Sequence, residues 1–186
     1  MNHYKKYNKG FTLIELMTVV AIIGLLSTVV LASLNTAKIK ANNSKIRMNA
    51  KSIANALYLA RDPITGAWPG NGSWQCLKAS GSCFYMNGNY ELSADTGANN
   101  VMSKIAPYIP SVPLMPSNLF PSNTYGSDSY VYAPYQSGIP DVPEGAALFW
   151  GQTLPMTAKD CGPNGHLELE VVDGVTRYYC YVYLGR

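Results

Sequence analysis

Residues 11–34 carry a single charged side chain, Glu15, and that run restricts the chain more than any other feature in it. About 20 consecutive apolar residues cross a bilayer as a helix, whereas a secretory signal peptide has an apolar core of roughly 7–15 residues ending at a small-residue cleavage site. The run is too long for a signal peptide. Its end, "LASLN", matches such a site poorly, and no cysteine follows it for lipoprotein processing. Lys5, Lys6 and Lys9 precede it and bias the N-terminus toward the cytoplasm, although Lys38, Lys40 and Lys45 beyond it dilute that bias. The expectation is a single span with the rest of the chain outside.

Glu15 does not fit a plain anchor. One turn inside the run, a carboxylate costs on the order of 2–3 kcal/mol on insertion scales, and less near the interface. An acid at that depth marks a function and calls for a cation at the same depth. Lys9 is the nearby base. Cleavage just before the run would create another, the α-amino group of the first residue of the shortened chain.

Charge is segregated along the sequence. The three lysines before the run account for the whole formal charge of +3. Between 38 and 61 there are bases (Lys38, Lys40, Lys45, Arg47, Lys51, Arg61) and no acid, whereas from Asp62 onward acids outnumber bases. An acidic head argues against a nucleic-acid surface on it and leaves nucleic acid open as a partner. Cys76, Cys83, Cys161 and Cys180 all follow the run, as expected of disulfides in an oxidising compartment. Four cysteines allow three connectivities, and proximity favours Cys76–Cys83 and Cys161–Cys180. No CxxC pair suggests metal instead.

The stretch 35–61 has no helix breaker. Ile46, Ala50, Ile53, Leu57 and Ala60 recur at spacings of four and three, so an amphipathic helix continues from the apolar run and ends near Pro63. Such a helix outlasts any bilayer, and its apolar stripe needs a head to pack against.

The stretch "KGFTLIELMTVVAIIGLLSTVVL" resembles the class III signal sequence of type IV pilins and type II secretion pseudopilins. The resemblance rests on a short basic leader ending in Gly10, then Phe11, then "TLIE" and an apolar helix. It covers about the first 50 residues. It implies that a prepilin peptidase cuts between Gly10 and Phe11 and that Phe11 becomes N-methylated. It also implies that Glu15 meets the amine of Phe11 on a neighbouring subunit as subunits stack into a homo-oligomeric helical filament. The implied setting is a precursor pool in the cytoplasmic (inner) membrane, single-pass with the head outside, handled by inner-membrane assembly machinery. The assembled product is then an extracellular fibre at the cell surface. Many bacterial pilins carry a proline in mid-run, whereas here Gly24 is followed by none before Pro63.

Beyond the helix, 62–128 reads as a long irregular connection dense in Gly, Pro, Asn and Ser, with one short amphipathic element near 100–106. Trp68 and Trp74 are expected to pin it by core packing. Strands are expected at 129–135, at 146–154 and on either side of Asp173-Gly174, a hairpin signal. A Cys161–Cys180 bridge would tie the last strand to the loop before the hairpin, as pilins often staple this region.

Chemistry is scarce. His166, Glu168 and Glu170 share one face of an expected strand, where a solvated edge is the simpler reading than a metal site. Asp128, Asp141 and Glu144 match no calcium loop by spacing. No catalytic triad or phosphate-binding loop is present, and neither enzyme activity nor a cofactor or metal is expected. The chain therefore reads as an α+β protein in three parts: a cleaved leader (1–10), a long N-terminal helix (11–61) and a head (62–186). The head carries a small antiparallel sheet of three or four strands over 129–186. A pilus-like filament subunit is the leading function; a secretion pseudopilin or a single-span, surface-anchored ligand-binding protein is the alternative.

Overall fold

The computed structural model describes residues 10–70, 72–78, 82–85, 90–93, 100–113, 115, 130–136, 144–151, 158–172 and 175–186, with backbone alone at 82–85, 90–93, 136, 158, 160, 168–172 and 175–178. The chain divides into two compact units, Met1–Lys40 and Ala41–Arg186. Helix α1 (Leu13–Leu59, 47 residues) begins in the first and ends in the second.

In the first unit every described side chain from 10 to 38 is exposed, and the most apolar window of α1 has a mean hydropathy of 2.4. The helix is long and apolar enough to cross a membrane. Its hydroxyls suit an apolar surround, because each finds an acceptor within the helix. Ser27 Oγ donates to Ile23 O (2.7 Å), Thr28 Oγ1 to Leu25 O (2.8 Å) and Ser33 Oγ to Val29 O (3.0 Å). A polar side chain satisfied this way adds little to the cost of leaving water.

In the second unit the predicted stripe is the buried face of the helix. Ile46, Ile53 and Leu57 are fully buried and Ala50 nearly so, while Ala60 packs half-buried against the same core. The helix stops at Leu59, slightly before the position that Pro63 suggested. Asp62 accounts for this, because its carboxylate accepts from Ile64 N (2.9 Å) and Thr65 N (2.7 Å) and rewards a turn over another helical residue. Those backbone donors, Thr65 first, also hold the Asp62 carboxyl below its ordinary range. Arg61 then ties the helix end to the C-terminus. Its Nη2 donates to Arg186 O (2.8 Å), and its guanidinium lies 4.7 Å from the Trp68 ring centroid.

The sheet has five antiparallel strands in the order β1-β4-β5-β7-β6: β1 (Gln75–Cys76), β4 (Val131–Gln136), β5 (Gly145–Gly151), β7 (Val175–Gly185) and β6 (His166–Val172). This exceeds the expected three or four, because β1 adds an edge by pairing Gln75 with Tyr132 and Cys76 with Val131. A two-residue strand has no periodicity to read in sequence. The stretch 62–128 is also less irregular than expected. It holds β1, a separate hairpin of β2 (Ser82–Tyr85) and β3 (Tyr90–Ser93), and α2 (Val101–Ile105), which Asn100 caps by accepting from Met102 N (2.7 Å). The β6–β7 ladder closes on Val172 opposite Val175, leaving two residues between the strands; Asp173 and Gly174 themselves lie outside the described residues.

Alternation along β4 and β5 explains their near-complete burial. Tyr130, Tyr132, Leu148 and Trp150 join the cluster under α1, whereas Val131, Ala133, Ala147 and Phe149 form a second cluster with Tyr179 and Tyr181. Both faces are covered, so the strand reads as a continuous apolar run. Pro134 offers no N–H to the ladder, and the β4–β5 register shifts between Ala133 and Gln136 at that point. The shift ends on Gly145 (φ 139°), where a Cβ would meet Gly185 O at 2.7 Å. Only glycine fits there. Both tryptophans pack as expected: Trp68 edge-on to Tyr58 (5.1 Å between centroids) and Trp74 stacked on Phe149 (5.0 Å).

Tyr130 joins sheet to helix, its hydroxyl donating to Ile46 O at 3.0 Å. Burial pushes its phenol up to about 12, and burial raises Tyr132 further, with Arg61 working against the rise. A phenol whose folded pKa lies above its unfolded value of about 10 contributes stability that is complete below pH ~10 and is lost as pH climbs toward ~12. The full chain in detergent is therefore expected to lose stability steeply between those limits. Tyr130→Phe should lower stability at neutral pH yet flatten the alkaline slope. An unchanged slope in that variant would remove Tyr130 from the account.

Candidate processing and assembly site

The first turn of α1 explains Glu15 in a way the spacing of charges alone did not. Gly10, Phe11 and Thr12 precede the helix, and Phe11 is 87% exposed. Thr12 is the residue before the first helical position and Glu15 the third residue within the helix. The backbone N–H of Thr12 and its hydroxyl both donate to Glu15 Oε2, each at 2.8 Å. In return the Glu15 N–H donates to Thr12 Oγ1 at 3.3 Å. This is a reciprocal capping box, which satisfies two otherwise orphaned donors at a helix start and contributes roughly 0.5–2 kcal/mol.

Glu15 thus has hydrogen-bond donors within its own helix turn, in addition to the nearby base that the spacing of charges pointed to. Thr12 is the hydrogen-bond partner of Glu15 that sequence reasoning missed, and the signal for it was present as Thr12-x-x-Glu15 ahead of an apolar run. The carboxylate also lies at the positive end of the helix dipole, which favours an anion in the first turn. Both bonds fall on Oε2, and Oε1 takes none among the described residues. The arrangement lowers the cost of carrying a carboxylate into an apolar environment. Around it Leu13, Ile14, Leu16 and Met17 are at least 62% exposed, so the site is a polar spot on an apolar surface.

The expected cleavage position is exposed. Gly10 is exposed with nothing within 4 Å of a Cβ placed on it. The basic leader with Lys5, Lys6 and Lys9 lies outside the described residues.

The other residues singled out from sequence are scattered. Cys161 and Cys180 are joined with Cα atoms 5.3 Å apart, which ties a short 3-10 turn (Ala158–Cys161) to the central part of β7. Cys76 is disulfide-bonded, while the side chain of its expected partner Cys83 lies outside the described residues. His166 stacks on Tyr181 with centroids 5.0 Å apart, and Glu168 and Glu170 occupy register positions opposite Tyr179 and Arg177. Glu144 is exposed; Asp128 and Asp141 lie outside the described residues. Among the described residues, no three of His, Cys, Asp or Glu gather as a metal site would require.

No curated protein and no solved structure matches the chain. Residues 5–31 match the family model of the prokaryotic N-terminal methylation motif. That span holds Lys5, Lys6, Lys9, Gly10, Phe11, the Thr12–Glu15 box and most of the apolar half of α1, and the chain thus carries a motif consistent with the class III signal sequence of type IV pilins and pseudopilins.

Proposed function

We propose that the protein is a structural subunit of a type IV pilus-like filament, with a role in type II secretion as the alternative within the same class. A prepilin peptidase cuts between Gly10 and Phe11 and methylates the new N-terminus. Residues 11–34 hold the subunit in the cytoplasmic membrane with the head outside until assembly machinery draws it into the fibre. The observation that carries this reading is the methylation motif over 5–31, with its carboxylate in the first turn of an exposed apolar helix.

The physical logic is a change of partner. In the membrane pool, Glu15 is held by Thr12 at the helix start. In the filament, the same carboxylate meets the Phe11 amine of a neighbouring subunit, inside a bundle of apolar helices. A charge buried alone in such a place is costly, and a charge buried with a counter-charge and hydrogen bonds fixes register. Because Thr12 already binds Oε2, the amine needs only the other oxygen, and the helix start need not unwind for the pair to form. Mass spectrometry of the mature chain is the deciding measurement. An N-methylated phenylalanine at Phe11 is expected; an intact Met1, or a cut near Ala32, refutes the reading.

A further inference from the structure

A feature of the second unit that the filament reading leaves unused is a groove of about 1010 Å³. It lies between the flank of α1, the segment 161–166 and the end of β7. Trp150 lines it, 2% exposed, and its indole Nε1 is buried with no acceptor among the described residues. Arg47, Lys51 and Lys159 also line it, and among the described residues no acid does. Arg47 is braced there, its Nη1 donating to Lys159 O at 3.4 Å. Met48, 70% exposed, and Tyr58, 46% exposed, add apolar surface on the helix side. Apolar walls, three cations and a buried donor without a partner together suit an acidic segment that also brings a carbonyl or carboxylate oxygen.

We propose that this groove receives the β6–β7 hairpin of a second copy of the chain, an inference that rests on the filament reading. Charge selects the occupant. From residue 62 onward the chain is acidic, and its densest acids are Glu168, Glu170 and Asp173. Strand β6 stands at the sheet edge with β7 as its partner among the described residues, and an edge strand presents backbone acceptors. Among the described residues the groove reaches β6 at its first residue, His166, whereas Asp173 follows the last residue of that strand, Val172. At about 3.3 Å per residue the two are roughly 20 Å apart along the strand, so the turn of one copy is placed to reach the groove of another rather than its own. Two different surfaces meeting head to tail make a heterologous contact, and such a contact builds an open helical polymer when its rotation does not close into a ring, as the filament reading requires.

Photocrosslinking of the full chain tests this, with p-benzoylphenylalanine at position 48 and the covalent dimer band excised and mapped by mass spectrometry. Adducts between position 48 and residues 166–178 of the second copy are expected. Lys51→Glu with Lys159→Glu should cut that adduct about tenfold, and adding Glu168→Lys and Glu170→Lys should restore at least half of it. Filaments whose dimer adducts map to another segment, to lipid or to a different protein overturn the groove proposal and leave the filament reading standing. A processed wild-type chain that never polymerises overturns the filament reading instead. The 166–178 adduct in membrane dimers then still supports the groove, and its absence there sinks both.

Discussion

Glu15→Gln is expected to be cleaved after Gly10 and methylated as the unaltered chain is, and to form no filaments. Glutamine is chosen because it separates the two roles that the first turn of α1 gives this side chain. A capping box accepts Gln in place of Glu at its third position, so the amide oxygen can still take the Thr12 bonds now made to Oε2. What the amide lacks is charge. If Glu15 served the helix start alone, Gln would assemble normally. If the carboxylate pairs with an incoming amine, Gln should reduce sheared fibres to background, while the cleaved subunit accumulates in the membrane. Losing the charge also removes part of the insertion cost, so the variant should be held in the membrane at least as firmly. Thr12→Val supplies the opposite control, removing the hydroxyl bonds at a cost of about 1 kcal/mol in helix-start stability while leaving the carboxylate charged. Fibres counted by electron microscopy, alongside immunoblots of the membrane pool, decide the matter. Normal filaments from Glu15→Gln would end the pairing role.

The parts of this fold that were legible in the sequence are those carried by periodicity. Ile46, Ala50, Ile53 and Leu57 announced a helix face because a stripe at spacings of four and three has one geometric meaning, and all four are buried. Alternation marked β4, and a bounded apolar run marked β5. Strand β1 was not legible, because two residues added to a sheet edge are placed by tertiary pairing rather than local pattern. Nor was the helix end at Leu59, which is decided by the Asp62 carboxylate capturing the N–H groups of Ile64 and Thr65. At the candidate site the motif residues Gly10, Phe11 and Glu15 were visible, and Thr12 went unread because attention to the charge hid the hydroxyl three residues before it. The groove beside Trp150 had no sequence signal at all. Lys159 lies more than 100 positions from Arg47 and Lys51, and joins them only when the 3-10 turn is tied to β7 and lies near α1.

Leu57→Ala and Leu59→Ala change the same side chain two positions apart, and they should differ in effect by several kcal/mol. Leu57 is fully buried in the cluster that includes Ile53, Leu148 and Leu184, whereas Leu59 at the helix end is 61% exposed. Truncating a buried leucine loses its transfer free energy and leaves a cavity, together about 2–5 kcal/mol. That is a large share of the roughly 5–15 kcal/mol by which a folded domain is stable. Truncation of the exposed one should stay within about 0.5 kcal/mol. For a unit of this size the first change corresponds to a fall in Tm of roughly 10 °C. The full chain in detergent, followed by near-ultraviolet dichroism of its buried tyrosines and tryptophans, reports on this cluster and not on the exposed apolar half of α1. The Cys161–Cys180 bridge should be left oxidised, because opening a loop of 19 residues removes about 3 kcal/mol by itself and would mask the contrast. Equal effects of the two substitutions would mean that the stripe does not face the core and that the packing of α1 on the sheet is wrong.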